Sequence, residues 1–410
     1  MQETVFYELI APLTDYVKQS GTKIDKKSGS KVLFFEEFVQ VIVFGLSIGV
    51  CSMRKLIKEL ATNPSAILLG LPLVAYSTFR DGFTRFNVLH FNELYHKVLS
   101  EFDWLEVKEL ANLGLLKAVD GSLFPTLRSM EWANYKRSFK ALKLHLSFCL
   151  NTCCPNEFVI TDGNKSERSF LIDILERGVT YICDRGYFSF DVLAAMNKVG
   201  ALFVLRLKEN HKFMTGKILK ITGLIPKCFS QIKDELVRFT NDKEQKVYRI
   251  VRFKVLNSYF ILCTNRLDLT TIQVIMLYAY RWQIELIFKF LKRTLKGLHL
   301  FAQTENAAPI HFYMLLITAM LQLRLKQVFL AEKVTKKEEK LVKEQQNDIE
   351  NLTNTENCKA YLGAAPDKWM NTINNIFAKG FKVSSDWLLY LKNLIAQNID
   401  YQVIIKFNSA

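Results

Sequence analysis

Apolar residues recur at helical spacing from Phe34 to Leu60 and again from Phe86 to Leu105, so residues 1–110 read as a helical region. Asn63-Pro64-Ser65 interrupts the first run, because proline lacks a backbone donor and clashes inside a helix. Ser77-Thr78-Phe79-Arg80 reads as the start of a short helix with a serine cap. From about residue 111 the period changes. Leu115–Val119 is a short apolar run that stops at Asp120-Gly121-Ser122, a turn signal. Lys140–Leu150 alternates as a strand, and Phe158–Thr161 suits a third. Ser166–Arg177 reads as a helix with Ser166 at its N-cap, and Val179–Cys183 as a strand ending at Asp184-Arg185-Gly186. Asp191–Val199 follows as a helix and Leu202–Leu207 as a strand. This order predicts an α/β class built on a mixed sheet. Residues 209–265 carry β-like runs at Val247–Val255 and Tyr259–Cys263. Thr270–Leu295 reads as one long helix and Pro309–Gln327 as another. Lys333–Glu350 is a charged segment of mixed sign, a solvated helix or a linker. Residues 359–410 read as helical.

The 410 residues allow two or three domains: a helical region over 1–110, an α/β region over 111–330 holding a β-rich insertion at 209–265, and a helical region over 331–410. Hydrophobic residues make up 50% and charged residues 23%, which excludes global disorder. The formal charge of +15 is unevenly placed. Residues 111–330 hold 32 basic and 17 acidic side chains, whereas the segments on either side are near neutral. Such a basic middle suits either a polyanionic partner, most simply nucleic acid, or a surface kept for solubility. Within it, 209–265 holds 11 basic against 5 acidic residues. The helix beginning at Ser77 is open to two readings, a helix-turn-helix-like DNA reader or a plain accessory element, and the neutral charge of its region weakens the first. The eight cysteines include no CxxC pair, which argues against a zinc site or a disulfide scaffold and fits a reducing compartment. No secretory pattern opens the chain. The longest apolar stretches, Val41–Met53 and Phe312–Leu321, fall short of the roughly 18 residues of a membrane span. An intracellular protein with no membrane partner is expected.

Asp120 and Asp184 each follow an apolar strand and precede a glycine or an Arg-Gly pair. Carboxylates at the C-terminal ends of neighbouring strands face a ligand crevice in many α/β sheets. With a third carboxylate they can hold divalent metals on oxygen ligands. The alternative is that both mark ordinary turns. The helix after residue 270 bears on that choice. At about 100° per residue, Tyr278, Arg281, Glu285 and Lys292 fall within roughly a 60° arc. This polar stripe on an otherwise apolar helix faces a site, or it faces solvent and is held by Arg–Glu and Glu–Lys pairs.

These residues resemble the motifs of the IS4 family of insertion-sequence transposases, DDE enzymes with an RNase H-like core. Asp120-Gly121-Ser122 resembles the first motif, and Asp184-Arg185-Gly186-Tyr187 the second. Tyr278, Arg281, Glu285 and Lys292 meet the spacing of the third, Tyr-(2)-Arg-(3)-Glu-(6)-Lys, without a gap. The resemblance covers about 111–330. It implies an RNase H-like mixed sheet with a β-rich insertion, a helical N-terminal accessory or DNA-binding domain, and a helical C-terminal region. It implies that Asp120, Asp184 and Glu285 are catalytic and bind two Mg²⁺ ions, replaceable by Mn²⁺. Such ions activate a water or 3′-OH and stabilise the departing oxygen. Tyr278, Arg281 and Lys292 would hold DNA phosphates, with Arg206 and Lys208 as further DNA contacts. The partners implied are double-stranded DNA, as terminal inverted repeats and target, and a second copy of the chain in a synaptic dimer. The place implied is the bacterial cytoplasm, at the nucleoid. Relatives that cut through a hairpin use a tryptophan of the inserted domain, and residues 201–281 contain none. Phe213, Phe229, Tyr248 or Tyr259 could stack on a base instead.

Other chemistry finds no support. The six histidines form no HxH or HxxxH pair, no phosphate-binding glycine motif occurs, and Ser122 is not in a GxSxG elbow. Three rivals to a transposase remain: an inactive or domesticated copy that only binds DNA, an RNase H-like nuclease without strand transfer, and a structural or protein-binding role, which predicts no salt-sensitive DNA binding.

Overall fold

The computed structural model describes residues 5–28 and 32–324, except 103, 105, 127–128, 136–138, 215, 224–228 and 256–257. The expectations for 331–410 lie outside the described residues. Among the described residues the chain divides into two compact units, one formed by 5–205 and 280–324, the other by Arg206–Ala279.

The first unit opens with six helices: α1 Val5–Ser28, α2 Phe35–Ser47, α3 Met53–Thr62, α4 Pro64–Leu68, α5 Tyr76–Arg85 and α6 Val88–Glu101. Asn63 ends α3 and caps α4 through its side chain, with Pro64 in the first turn where no donor is needed. α5 begins one residue before the expected Ser77, and Ala75 at its N-cap supplies no side-chain bond. Packing rather than capping therefore holds its start. Phe35, Phe38, Phe79, Phe83, Phe86 and Phe91 interlock, with ring centroids 5.0 Å apart for Phe38 and Phe83 and 5.2 Å for Phe35 and Phe86. Gly82 makes this possible, since a Cβ there would stand 2.6 Å from the Phe38 ring.

The sheet of this unit comprises β1 Leu116–Pro125, β2 Asn134–Tyr135, β3 Phe139–Cys149, β4 Cys154–Asp162, β5 Thr180–Cys183 and β6 Leu202–Arg206. β1 lies antiparallel to β3 and parallel to β5, β5 is parallel to β6, and β4 and β2 pair with the far edge of β3. Between strands run α7 Glu167–Asp173, capped by Ser166 as expected, and α8 Phe190–Val199. Ser189 caps α8, and Gly200 ends it in the left-handed region at φ 80°. This is the mixed α/β sheet the sequence predicts, and it is consistent with an RNase H-like core. One element differs. β1 does not stop at Asp120-Gly121-Ser122 but runs through it to Pro125, because its pairing with β3 continues to Pro125–Ala141. Only the parallel neighbour β5 ends there, with Val119 opposite Cys183. Tertiary pairing overrides the turn propensity of Asp-Gly.

The helical region and the sheet share one core. The Tyr95 ring of α6 lies 5.2 Å from Phe158 of β4, which in turn meets Tyr313 at 4.8 Å. Tyr313 belongs to α11, a helix over 307–324.

The second unit holds β7 Phe213–Met214, β8 Phe229–Phe239, β9 Val247–Val255, β10 Ser258–Thr264 and most of α9, Thr271–Tyr280. Its strands are antiparallel in the order β10-β9-β8-β7. β9 and β10 match the expected runs; β8 was not foreseen. Its centre is a buried ion pair. Arg249 Nε and Nη2 donate to Asp234 at 3.0 and 2.6 Å, and Nη1 donates to the Arg266 and Leu269 carbonyls at 3.1 and 2.6 Å. Thr271, which opens α9, donates to the same carboxylate at 2.8 Å. Strands β8 and β9 and the helix start are thus tied at one point. Removing one partner strands the other charge away from water. Asp234→Ala is expected to lower stability by about 3–5 kcal/mol in denaturant unfolding. A loss under about 1 kcal/mol would mean that water reaches Arg249.

Candidate active site

The expected helix Thr270–Leu295 is not continuous. α9 ends at Tyr280, and α10 spans Trp282–Lys289. Between them the Ile284 N–H bonds to the Arg281 carbonyl three residues back, at 3.1 Å, a tighter winding than the α-helix. A π turn, Phe290–Thr294, follows, with the Leu295 N–H reaching back to Phe290 at 3.1 Å. The helix tightens at Arg281 and widens around Lys292, the two cations of the expected stripe.

Both changes serve contacts to β1. Arg281 Nη2 donates to Glu285 Oε1 at 2.6 Å, one turn on, while Nη1 stands 3.7 Å from Asp120 Oδ2. One guanidinium therefore joins two of the three expected carboxylates. Lys292 Nζ donates to Ser122 Oγ at 2.7 Å and lies 4.8 Å from the centre of the Phe124 ring. Asp184 is placed by register. It follows Cys183, the last residue of β5, which pairs with Val119, so Asp120 and Asp184 each stand one residue past the last β1–β5 pair. Asp120 Oδ1 and Asp184 Oδ1 each accept the next residue's backbone N–H at 2.8 Å.

The glycine after Asp120 has a steric reason. Strand alternation turns position 121 to the other face of β1, where a Cβ would stand 2.9 Å from Glu167 Oε1. Lys143 holds that carboxylate at 3.2 Å.

The site is only partly open to water; the Asp120 and Glu285 side chains are 24% and 29% exposed. Burial pushes the Asp120 carboxyl up to about 6, with Glu167 and Glu285 adding to the rise and Arg281 opposing it. Burial also lowers the Lys292 ammonium, against the pull of Asp120. The Tyr187 hydroxyl is buried with no hydrogen-bond partner among the described residues, and burial raises it far above the usual phenol range.

The other expected residues belong to the second unit. Tyr278 is 3% exposed and packs against Phe260. Arg206 stacks over the same ring at 4.4 Å, and Lys208 is exposed. Ser122 and Phe124 were given no role from sequence. Their signal is alternation: once β1 runs past Asp120, positions 122 and 124 share its face.

Among the described residues, no three His, Cys, Asp or Glu side chains stand close enough together to hold a metal. The donor chemistry nonetheless fits a hard divalent cation. Asp120, Asp184 and Glu285 offer oxygens alone.

Comparison with known proteins bears on the family of the chain. The family described as Transposase DDE domain matches residues 113–321. A Synechocystis protein named as the transposase of insertion sequence element IS4SA is 25% identical over 305 residues, covering 69% of this chain and 84% of that protein. A Geobacillus stearothermophilus protein named as the transposase of insertion sequence element IS5377 is 24% identical over 245 residues, covering 58% and 64%. A Sinorhizobium fredii protein named as transposase y4zB is 26% identical over 208 residues, covering 50% of this chain and 58% of its own length. The chain thus spans less than two thirds of two of these three relatives. No described helix is long and apolar enough to cross a membrane.

Folding disfavours ionised Asp120. Its carboxyl titrates near 4 when unfolded and about 6 when folded, so the stability is full below pH 4 and falls as the pH rises through 6. Asp120→Asn removes that cost. At pH 7.5 it is expected to be more stable than the wild type by on the order of 2 kcal/mol, with the gap closing at pH 4. Melting curves at the two pH values check this, and a variant less stable at pH 7.5 would contradict it.

Proposed function

The chain belongs to the Transposase DDE domain family, and from that premise we propose that it binds the terminal inverted repeats of an insertion sequence, cleaves the element's ends and joins them to target DNA. The observation that carries this reading is the convergence on β1. Asp120 and Asp184 each stand one residue past the last β1–β5 pair, and Asp120 is joined to Glu285 through Arg281. That brings the three carboxylates onto adjoining elements of one unit.

In this proposal Asp120, Asp184 and Glu285 hold two Mg²⁺ ions, or Mn²⁺. The ions supply an activated water or 3′-OH and charge stabilisation at the departing oxygen. The chain's own residues do the rest. The carboxylates set where the phosphodiester is cut. Arg281 and Lys292 bind the phosphates flanking that bond, Arg281 through its fork of donors and Lys292 as a point charge. The partial burial of Asp120 and Glu285 limits water and strengthens these interactions. Arg206, Lys208 and the basic insertion 209–265 contact the DNA backbone farther along, and the helical region before residue 110 adds to end recognition. Two copies act together, because both ends of an element must be cut and joined as a pair.

The test is a labelled inverted-repeat end incubated with purified protein and Mg²⁺. The wild type is expected to cut at the repeat boundary and to join the 3′-OH end to a second duplex. Asp184→Ala and Glu285→Ala are expected to lose at least about 10³-fold in rate, the several kcal/mol that a bound metal contributes. A fully active Glu285→Ala would overturn the reading. Cleavage without joining would reduce it to a nuclease.

A further inference from the structure

Lys292 is held unusually well for a lysine. Its stem has four rotatable bonds, and a surface ammonium ordinarily samples many positions. Here the helix that carries it widens into a π turn over Phe290–Thr294, and the ammonium meets two partners on one strand. Ser122 Oγ accepts from it at 2.7 Å, and the Phe124 ring lies 4.8 Å below it. That ring is itself wedged. Phe312 of α11 meets it edge-on at 4.9 Å, and both rings are buried. The turn that follows Lys292 is fixed from the same side. A Cβ on Gly297 would stand 2.5 Å from Leu315 and 2.8 Å from the Leu291 carbonyl.

The seat is aligned with Asp120. Positions 120, 122 and 124 alternate onto one face of β1, so Asp120 is two residues from the group that holds the lysine. At about 3.3 Å per residue the offset is roughly 7 Å along the strand, near the spacing of consecutive phosphates on a DNA strand. An ammonium has three donors. One goes to Ser122, which leaves others for an incoming oxygen.

We propose that Ser122 is the positioning residue for Lys292, with Phe124 as the floor, so that a single strand sets the distance between the cutting carboxylates and the phosphate-binding cation. The proposal rests on the transposase reading for its role in catalysis; the seat itself does not depend on it.

Two measurements separate the two claims. The first needs no DNA. Reductive methylation of the free protein, read at the Lys292 peptide by mass spectrometry, reports how well the amine is held. Ser122→Ala is expected to raise its labelling rate several-fold, and Ser122→Thr, which keeps the hydroxyl, to restore it. Equal labelling in wild type and Ser122→Ala would overturn the seat. The second is a double-mutant cycle on end cleavage with Ser122→Ala, Lys292→Ala and both. Ser122→Ala alone is expected to lose about tenfold in rate, while adding less than twofold to the loss of Lys292→Ala. A full additional loss in the Lys292→Ala background would show that Ser122 acts on its own and overturn the positioning role. Faster labelling in Ser122→Ala beside a wild type that cuts no end would support the seat and overturn the transposase reading instead. Unaltered melting of Ser122→Ala confirms that the strand is intact.

Discussion

The arrangement depends on one guanidinium. Arg281 reaches forward one turn to Glu285 at 2.6 Å and across to Asp120 at 3.7 Å. Without it, a strand carrying a desolvated carboxylate at its middle and a helix carrying another would repel. Asp120 shows the tension directly, since burial and the neighbouring carboxylates lift it to about 6 even with Arg281 beside it. Sites that gather like charges commonly sit at a cost to stability, and the compensation comes from the surrounding structure. Here that structure is a sheet whose central strand is paired on both sides, with an aromatic-rich helical core packed in the same unit.

The helix that bears Arg281 is irregular where it touches β1. It tightens at Arg281 and widens at Lys292. An ideal helix would keep both residues on one stripe but would not adjust their reach separately. A short-range turn and a π turn are cheap means of such adjustment, and both recur at functional sites. β1 answers with alternating positions: Asp120 for the guanidinium, Ser122 and Phe124 for the ammonium.

Much of this was legible in the sequence. The strands around Asp120 and Asp184, the cap at Ser166 and the spacing of Arg281, Glu285 and Lys292 each depend on local pattern. What was not legible depends on distant partners. Asp120-Gly121 reads as a turn, and only the pairing of β1 with β3 keeps the chain extended there. β8 hides because its ladder slips between Ser230 and Lys233, around Gln231 at φ 52°, and because Asp234 is buried in its middle. A buried aspartate makes sense only beside Arg249, which stands on the next strand. The offsets at Arg281 and Lys292 likewise answer to side chains on β1, far away in sequence. Tyr278 fits the motif spacing, but its contact with Phe260 was not legible from that spacing.

The central claim is that Asp120, Asp184 and Glu285 form one cation-binding centre. It is tested most directly by titrating the DNA-free protein with Mn²⁺ and following the free-ion signal by electron paramagnetic resonance. The account predicts saturable binding by the wild type and markedly weaker binding by Asp120→Asn and by Glu285→Gln, although these residues lie on separate elements. Identical titrations for all three proteins, or no binding by any of them, would contradict it.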